Sequence, residues 1–215
     1  MLRYVYADQI DQFPKLRDAM FRDRADQFQT RLGWDVSVAD NGYEKDEYDA
    51  MNPLYVIWEM PDGSHGGSMR FLPTTGRVMV NDHFSHVMGG GAVVSPLIWE
   101  CTRFCLARKA PAHVAAALML GGGEIMRGFG IKQFVGVFDA RMVRIYRMIG
   151  ASPDVLGSVG EGRDQISVGV WDFSADAQAR VAKRAGIHPE QSLSWFQAAF
   201  GRAGTGVQAP LLAIA

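Results

Sequence analysis

"LIWECTRFCLAR", residues 97–108, sets Glu100 and Arg103 among Ile98, Trp99, Cys101, Phe104 and Cys105. The run reads as a buried strand. A charge in such company is costly unless it is paired or put to chemical use. On a regular strand, residues 100 and 103 point to opposite faces. Either a bulge between them brings both charges to one face, or Glu100 and Arg103 serve different faces. The two cysteines of the chain lie in the same run. Four residues apart on a strand, they are expected on one face but too far apart to bridge, as reduced buried thiols of a cytoplasmic protein.

Outward from this strand, the chain alternates between strand and helix patterns. Residues 2–6, 54–60, 68–72, 131–138 and 165–173 read as strands, the second and third joined by the turn "PDGSHGG" as a hairpin. Apolar residues at helical spacing between Ile10 and Phe28 predict one or two amphipathic helices, and residues 33–53 read as an irregular loop. Residues 77–88 fit neither pattern cleanly. Pro111 opens a helix over 111–130, in which Gly121, Gly122 and Gly123 mark a weak point or close packing. Asp139 and Gly150 bracket a helix over 139–150 as N-cap and C-terminal glycine. Two more helices follow residue 173, and residues 203–215 form a tail. The order predicts one domain over 1–215, an α/β fold of three layers, with helices on both sides of a mostly antiparallel sheet.

Composition excludes several classes. The net charge is −1 over 215 residues, which gives no overall bias toward nucleic acid or an anionic membrane. No apolar run suffices for membrane insertion, and the N-terminus lacks a signal-peptide core. Gly121–Gly123 has neither a preceding strand nor a following Gly-Lys-Ser/Thr, so it is not a phosphate loop. His83 and His86 lack a second pair of ligands, and no metal site or cofactor is expected. No Gly-x-Ser-x-Gly elbow is present. Charge is nevertheless uneven. Residues 103–147 hold Arg103, Arg108, Lys109, Arg127, Lys132, Arg141, Arg144 and Arg147 against Glu124 and Asp139. A neutral chain can therefore present a basic patch to an acidic partner.

Taken singly, Arg24 reads as a solvated helix charge, Phe28 and Trp34 as core, and the acidic run "YEKDEYD" as a solvated loop. Together they say more. "RADQFQTRLGWDV" (24–36), "DEYD" (46–49), "SMRF" (68–71) and "ECTRF" (100–104) place Arg24, Phe28, Trp34, Asp46, Asp49, Arg70, Glu100 and Arg103 in one order. That order and spacing resemble the invariant set of acyl-homoserine-lactone synthases of the LuxI type. The resemblance runs from the N-terminus to about Gly150, and beyond it only "ISVGVWDF" matches.

The resemblance implies a GNAT-like fold, that of the acyl-CoA N-acyltransferases, whose central strands splay into a V-shaped cleft. A bulge in the strand matching 97–108 is typical of that fold. It also implies that the amine of S-adenosylmethionine is acylated from a thioester and that the methionine part then closes to a lactone, releasing methylthioadenosine. S-adenosylmethionine is then a substrate. The donor is acyl carrier protein or acyl-coenzyme A, and the family's usual donor is acyl carrier protein, which is strongly acidic. Glu100, Arg103 and Arg70 fall at the reacting centre, Glu100 being of the right type to take the amine proton. Arg24, Phe28, Trp34, Asp46, Asp49 and Phe84 fall on the S-adenosylmethionine pocket. Arginine suits the substrate carboxylate, and acids and aromatic faces suit the sulfonium. Arg141, Arg144 and Arg147, at three-residue steps on one helix, form a docking face for the carrier. Gly136, aligned through "VGVFDARM", falls where makers of 3-oxo products often carry threonine, which points to unsubstituted or 3-hydroxy chains. Two rival readings remain. A general N-acyltransferase is disfavoured because its Gln/Arg-x-x-Gly-x-Gly/Ala loop is missing. A non-catalytic ligand sensor on the same scaffold is disfavoured by the retained Glu100 and arginines.

Overall fold

Seven strands form one sheet in the order β1-β2-β3-β4-β5-β7-β6. They are β1 Leu2–Tyr6, β2 Leu54–Glu59, β3 His65–Pro73, β4 Ile98–Leu106, β5 Gln133–Asp139, β6 Asp154–Val159 and β7 Ile166–Asp172. The computed structural model describes residues 1–201, so the expected tail at 203–215 lies outside the described residues. Every neighbouring pair is antiparallel except β4–β5. That parallel pair holds for only three positions, Ile98↔Gln133, Trp99↔Phe134 and Glu100↔Val135. Beyond Glu100 the two strands part, which is the expected splay.

Helices cover both faces, as the element order predicts. One face carries α1 (Pro14–Ala25) and the short α2 (Met79–His83). Leu16, Met20 and Phe21 of α1 pack there on Val5, Tyr55 and Ile57. The other face carries α3 (Val114–Phe129) and α6 (Pro189–Phe200), with Leu118, Ile125 and Phe196 packed on Tyr4, Val56 and Phe71. α4 (Ala140–Ile149) and α5 (Ala175–Ala185) close that layer through Ile149, Val181 and Ala182. Asp139 caps α4, its carboxylate accepting from the backbone N–H of Arg141 and Met142, and Gly150 follows with φ +89°. Among the described residues no helix is long and apolar enough to cross a membrane.

Three local readings are corrected or completed by the fold. β6, "DVLGSV", is a strand that the sequence pattern does not announce. The cysteines do not share a face: Cys101 pairs with Phe71 and Cys105 with Ser68, and those partners lie three apart on β3. The ambiguous stretch 77–88 is α2 followed by a 3-10 turn, Ser85–Met88.

The glycines of α3 mark close packing rather than a break. A Cβ on Gly121 would stand 2.8 Å from Val56 Cγ1, and one on Gly128 would overlap the Phe196 ring. Gly121→Ala gains helix propensity of about 1 kcal/mol but overpacks the contact with β2. We expect a net loss of ~1–2 kcal/mol in urea unfolding. A variant as stable as the parent would show that α3 can move off the sheet freely.

Candidate active site

The bulge is present. Between the pairs Ser68↔Cys105 and Arg70↔Thr102, β4 uses three steps and β3 two. The extra residue is Arg103, at φ +53°, a left-handed conformation costly for a side chain of this kind. It brings Arg103 to the face that already holds Arg70, Glu100 and Thr102. One of the two sequence alternatives, Arg103 on the opposite face, is thereby removed.

Around this bulge three arginines meet three carboxylates. Arg24 Nε is 2.6 Å from Glu44 Oε2, and its two terminal nitrogens grip Asp49 at 2.9 and 2.8 Å. Arg70 holds Asp46 with both terminal nitrogens, approaches Asp49 at 3.1 Å, and donates from Nε to Thr102 Oγ1 at 3.0 Å. Arg103 Nη2 lies 2.9 Å from Glu44 Oε1 and 2.7 Å from Asp46 Oδ2. Asp46 also caps the 3-10 turn Glu47–Met51, with Asp49 completing a capping box. Tyr55 OH donates to Asp49 at 2.7 Å. Burial alone would push the Asp49 carboxyl up, but Arg24, Arg70 and Tyr55 overcome it and hold Asp49 well below the usual carboxylate range.

Glu44 is the member that the motif reading misses. It is fully buried and joins Arg24 to Arg103. No charge imbalance announced it, since Asp46, Asp49 and Glu100 match the three arginines in number; Glu100 turns instead to the N–H groups of α2, and Glu44 takes its place in the cluster. Gln27 is a second such residue. Its amide donates to Phe104 O at 3.0 Å and accepts from Leu106 N at 2.9 Å. A side chain thus pairs with the edge of β4 where β5 has turned away. Gln27 sits in a π-helical turn, Asp26–Arg31, which also presents Phe28.

A cavity of about 870 Å³ runs through the splay, within the range usual for small-molecule sites. On the α1 side its wall includes Phe28, Trp34, Asp46, Phe84, Thr102 and Arg103. Phe28 and Trp34 stack at 5.3 Å and 12°, and the Arg103 guanidinium lies 5.4 Å from the Phe28 centroid. On the α3 side the wall is apolar, with Met69, Phe71, Met119, Met126 and Phe134. Gly136 stands where the strands part. A Cβ there would come within 3.0 Å of Cys101 O and 3.2 Å of Trp171 Cζ3.

The expected site residues therefore divide. Phe28, Trp34, Asp46, Phe84, Arg103 and Gly136 line the cavity, as does Arg141. Arg24, Asp49 and Arg70 lie behind its wall, because their charges are consumed in holding the 43–51 loop to the sheet. Glu100 also lies behind it, only 1% exposed. Its two oxygens accept the backbone N–H groups of Met79 and Val80, so it caps α2 from β4, on the face that α2 covers. Burial pushes its carboxyl up to about 7, and those two N–H groups oppose the shift. Trp34, a core candidate when taken singly, is 38% exposed at the cavity mouth. Arg144 and Arg147 are exposed on the outer face of α4, while Arg141 is tied to Asp139 at 2.7 Å.

The model of the family described as autoinducer synthase matches residues 9–182. An acyl-homoserine-lactone synthase of Rhizobium etli is 40% identical over 183 residues, covering 82% of this chain and 86% of that protein. The solved structure of BjaI, a CoA-dependent acyl-homoserine lactone synthase with SAM and isopentyl-CoA, superposes with a TM-score of 0.77 at 22% identity, over 87% of this chain and 90% of that one. A putative N-acetyltransferase from Lactobacillus plantarum superposes at 0.53 with 15% identity, over 80% and 99%. These last two likenesses show a GNAT-like fold.

The bulge permits a paired test. Arg103→Ala keeps the unfavourable φ and strips Glu44 and Asp46 of a partner, a loss of roughly 3–5 kcal/mol for a broken buried ion pair. Arg103→Gly breaks the same pairs but relieves the backbone. The glycine variant should be the more stable of the two by about 1 kcal/mol in chemical denaturation. The reverse order would mean that the left-handed bulge is not strained.

Proposed function

Given that the chain belongs to the autoinducer synthase family and is an acyl-homoserine-lactone synthase, we propose that its substrates are S-adenosylmethionine and an acyl thioester presented by acyl carrier protein. The observation that carries this reading is the single cavity with two unlike ends. One end is aromatic and charged, and the other is apolar; they meet where β4 and β5 part. The amine donor fits the first end. Its sulfonium faces the Phe28–Trp34 stack and Asp46, through cation–π and charge attraction. Its carboxylate meets Arg103, whose Nη1 makes no hydrogen bond among the described residues. The acyl chain fits the second end, and BjaI, bound to SAM and isopentyl-CoA, offers a parallel on the same fold.

The steps follow from that placement. The amine is protonated in water and cannot attack until the proton leaves. Glu100, close to the point where the strands part, takes it through a water. The amine nitrogen then forms a bond to the thioester carbonyl carbon, and the thiolate departs and is protonated. The substrate carboxylate next attacks the carbon bearing the sulfonium. The C–S bond breaks, and its electron pair leaves with methylthioadenosine. Arg103 and the aromatic stack contribute to this closure by orientation. Incubation with S-adenosylmethionine and mixed acyl thioesters tests the scheme. Methylthioadenosine with a lactone supports it, free coenzyme A without methylthioadenosine points to a general N-acyltransferase, and neither product points to a sensor.

Glu100 makes the rate depend on pH. Its carboxyl is half ionised near pH 7, so wild-type turnover should rise with pH through that region and level off above it. Glu100→Gln should lower turnover by on the order of 10²–10⁴-fold and abolish the acidic limb. The amide also sets an N–H against one of the α2 N–H groups, so circular dichroism must accompany the assay. A folded glutamine variant that retains the limb would move the base to Asp46.

Docking of the acidic carrier is assigned to the outer face of α4. Charge reversal at Arg144 and Arg147 should raise KM for acylated carrier protein at low ionic strength, with kcat little changed. The difference should shrink as salt screens the pair. Equal KM values for wild type and variant at low salt would remove the docking role.

A further inference from the structure

The inner face of α4 holds a group with no assigned task. Tyr146 is 6% exposed and lines the cavity. Its ring is fixed edge-on between Phe138, at 5.5 Å, and Trp171, at 5.0 Å. A buried tyrosine hydroxyl ordinarily finds a partner. Those of Tyr48 and Tyr55 donate to Asp82 and Asp49, and the neighbouring Trp171 indole donates to Ala151 O at 2.9 Å. The Tyr146 hydroxyl makes no hydrogen bond among the described residues. Tyr4 shares that lack but is sealed in the core, whereas Tyr146 borders the cavity.

Its position along the bound chain follows from two contacts. Trp171 lies against Gly136, at the parting of the strands, and Tyr146 lies against Trp171. The reacting carbonyl must sit at that parting to meet the amine. Tyr146 is therefore one ring away from the carbonyl end of the acyl chain, not at the distal end. Gly136 has no side chain to address a substituent there, and the close approach of Cys101 O and Trp171 leaves no room for one.

We propose that Tyr146 is the specificity-determining residue for the acyl chain, and that its hydroxyl pairs with a hydroxyl on the third carbon, making a 3-hydroxyacyl thioester the preferred donor. The proposal rests on the synthase reading above. An unsubstituted chain would leave the phenol buried without a partner, and sites built to hydrogen-bond a substrate group discriminate against analogues lacking it. A phenol also both donates and accepts, which matches a hydroxyl more fully than a ketone.

The test uses the full chain with S-adenosylmethionine and three donors of equal length: 3-hydroxyacyl, 3-oxoacyl and unsubstituted. Each is loaded on acyl carrier protein and, separately, on coenzyme A, and methylthioadenosine release is followed. Wild type should favour the 3-hydroxy donor in kcat/KM by about tenfold over the unsubstituted one. Tyr146→Phe should bring that ratio close to one. A wild-type preference for the 3-oxo or unsubstituted donor, or a phenylalanine variant that keeps the 3-hydroxy preference, overturns the proposal and leaves the synthase reading standing. No methylthioadenosine from wild type with any donor on either carrier overturns both.

Discussion

The one extra residue in β4 is the constraint on which the site depends. Without it, Arg103 would face α3 and the apolar half of the cavity, where an unpaired guanidinium is not tolerable. With it, Arg103 joins Arg70 and Thr102 on the side where the 43–51 loop lies. The conformation that achieves this is unfavourable for arginine, and the ion pairs to Glu44 and Asp46 hold it in place. Strain of this kind persists only where its surroundings over-determine it. Two carboxylates on one guanidinium, with an aromatic ring beneath it, do so here.

The six-membered charge cluster is balanced, three guanidiniums against three carboxylates, and most of it is out of contact with solvent. Replacing such clusters by apolar residues often costs a protein nothing in stability. Its value here is geometric. Asp46 and Asp49 cap the 3-10 turn and are themselves gripped by Arg70 and Arg24. An irregular loop thereby acquires a fixed position against the sheet. Only Asp46 and Arg103, the two members at the edge of the cluster, remain able to act on a bound molecule. Arg24, Asp49 and Arg70 support them from behind.

This division explains what the sequence could and could not disclose. Glu100 and Arg103 are conspicuous because charge in an apolar strand demands a reason, and strand alternation demands a bulge if both are to share a face. Which residues touch the cavity was not legible, since pattern matching gives membership of a cluster and not depth within it. Glu44 was passed over because it sits in an acidic loop whose ordinary reading is a solvated one. Gln27 was passed over because an amide pairing with a strand edge leaves no periodic mark. β6 escaped for a related reason. It is an exposed edge strand with a register shift between Val155 and Gly157, and Gly157 lies against the backbone carbonyl of Val87. Neither burial nor alternation marks it out. The helix α4 was legible to the residue, because its cap and its terminal glycine are local chemistry.

The parting of β4 and β5 is where these features acquire a common purpose. A parallel pair that ends after three positions exposes strand edge, and exposed edge seeks partners. Gln27 satisfies Phe104 and Leu106 from one side-chain amide, and Arg31 donates to Leu106 O at 2.7 Å. These bonds hold the wide end of the V open and tie the π-helical turn, with Phe28, to the strand that carries Arg103. At the narrow end, Gly136 lets the Cys101 carbonyl and Trp171 approach closely. At this parting the sheet is thus pierced by a passage with a charged aromatic entrance and an apolar interior. A reaction that joins a zwitterionic amine to a hydrocarbon chain needs both environments within a bond length of each other. A continuous sheet, its neighbouring strands hydrogen-bonded at about 4.8 Å, walls off the environment on one face from that on the other, and a splayed pair removes that wall.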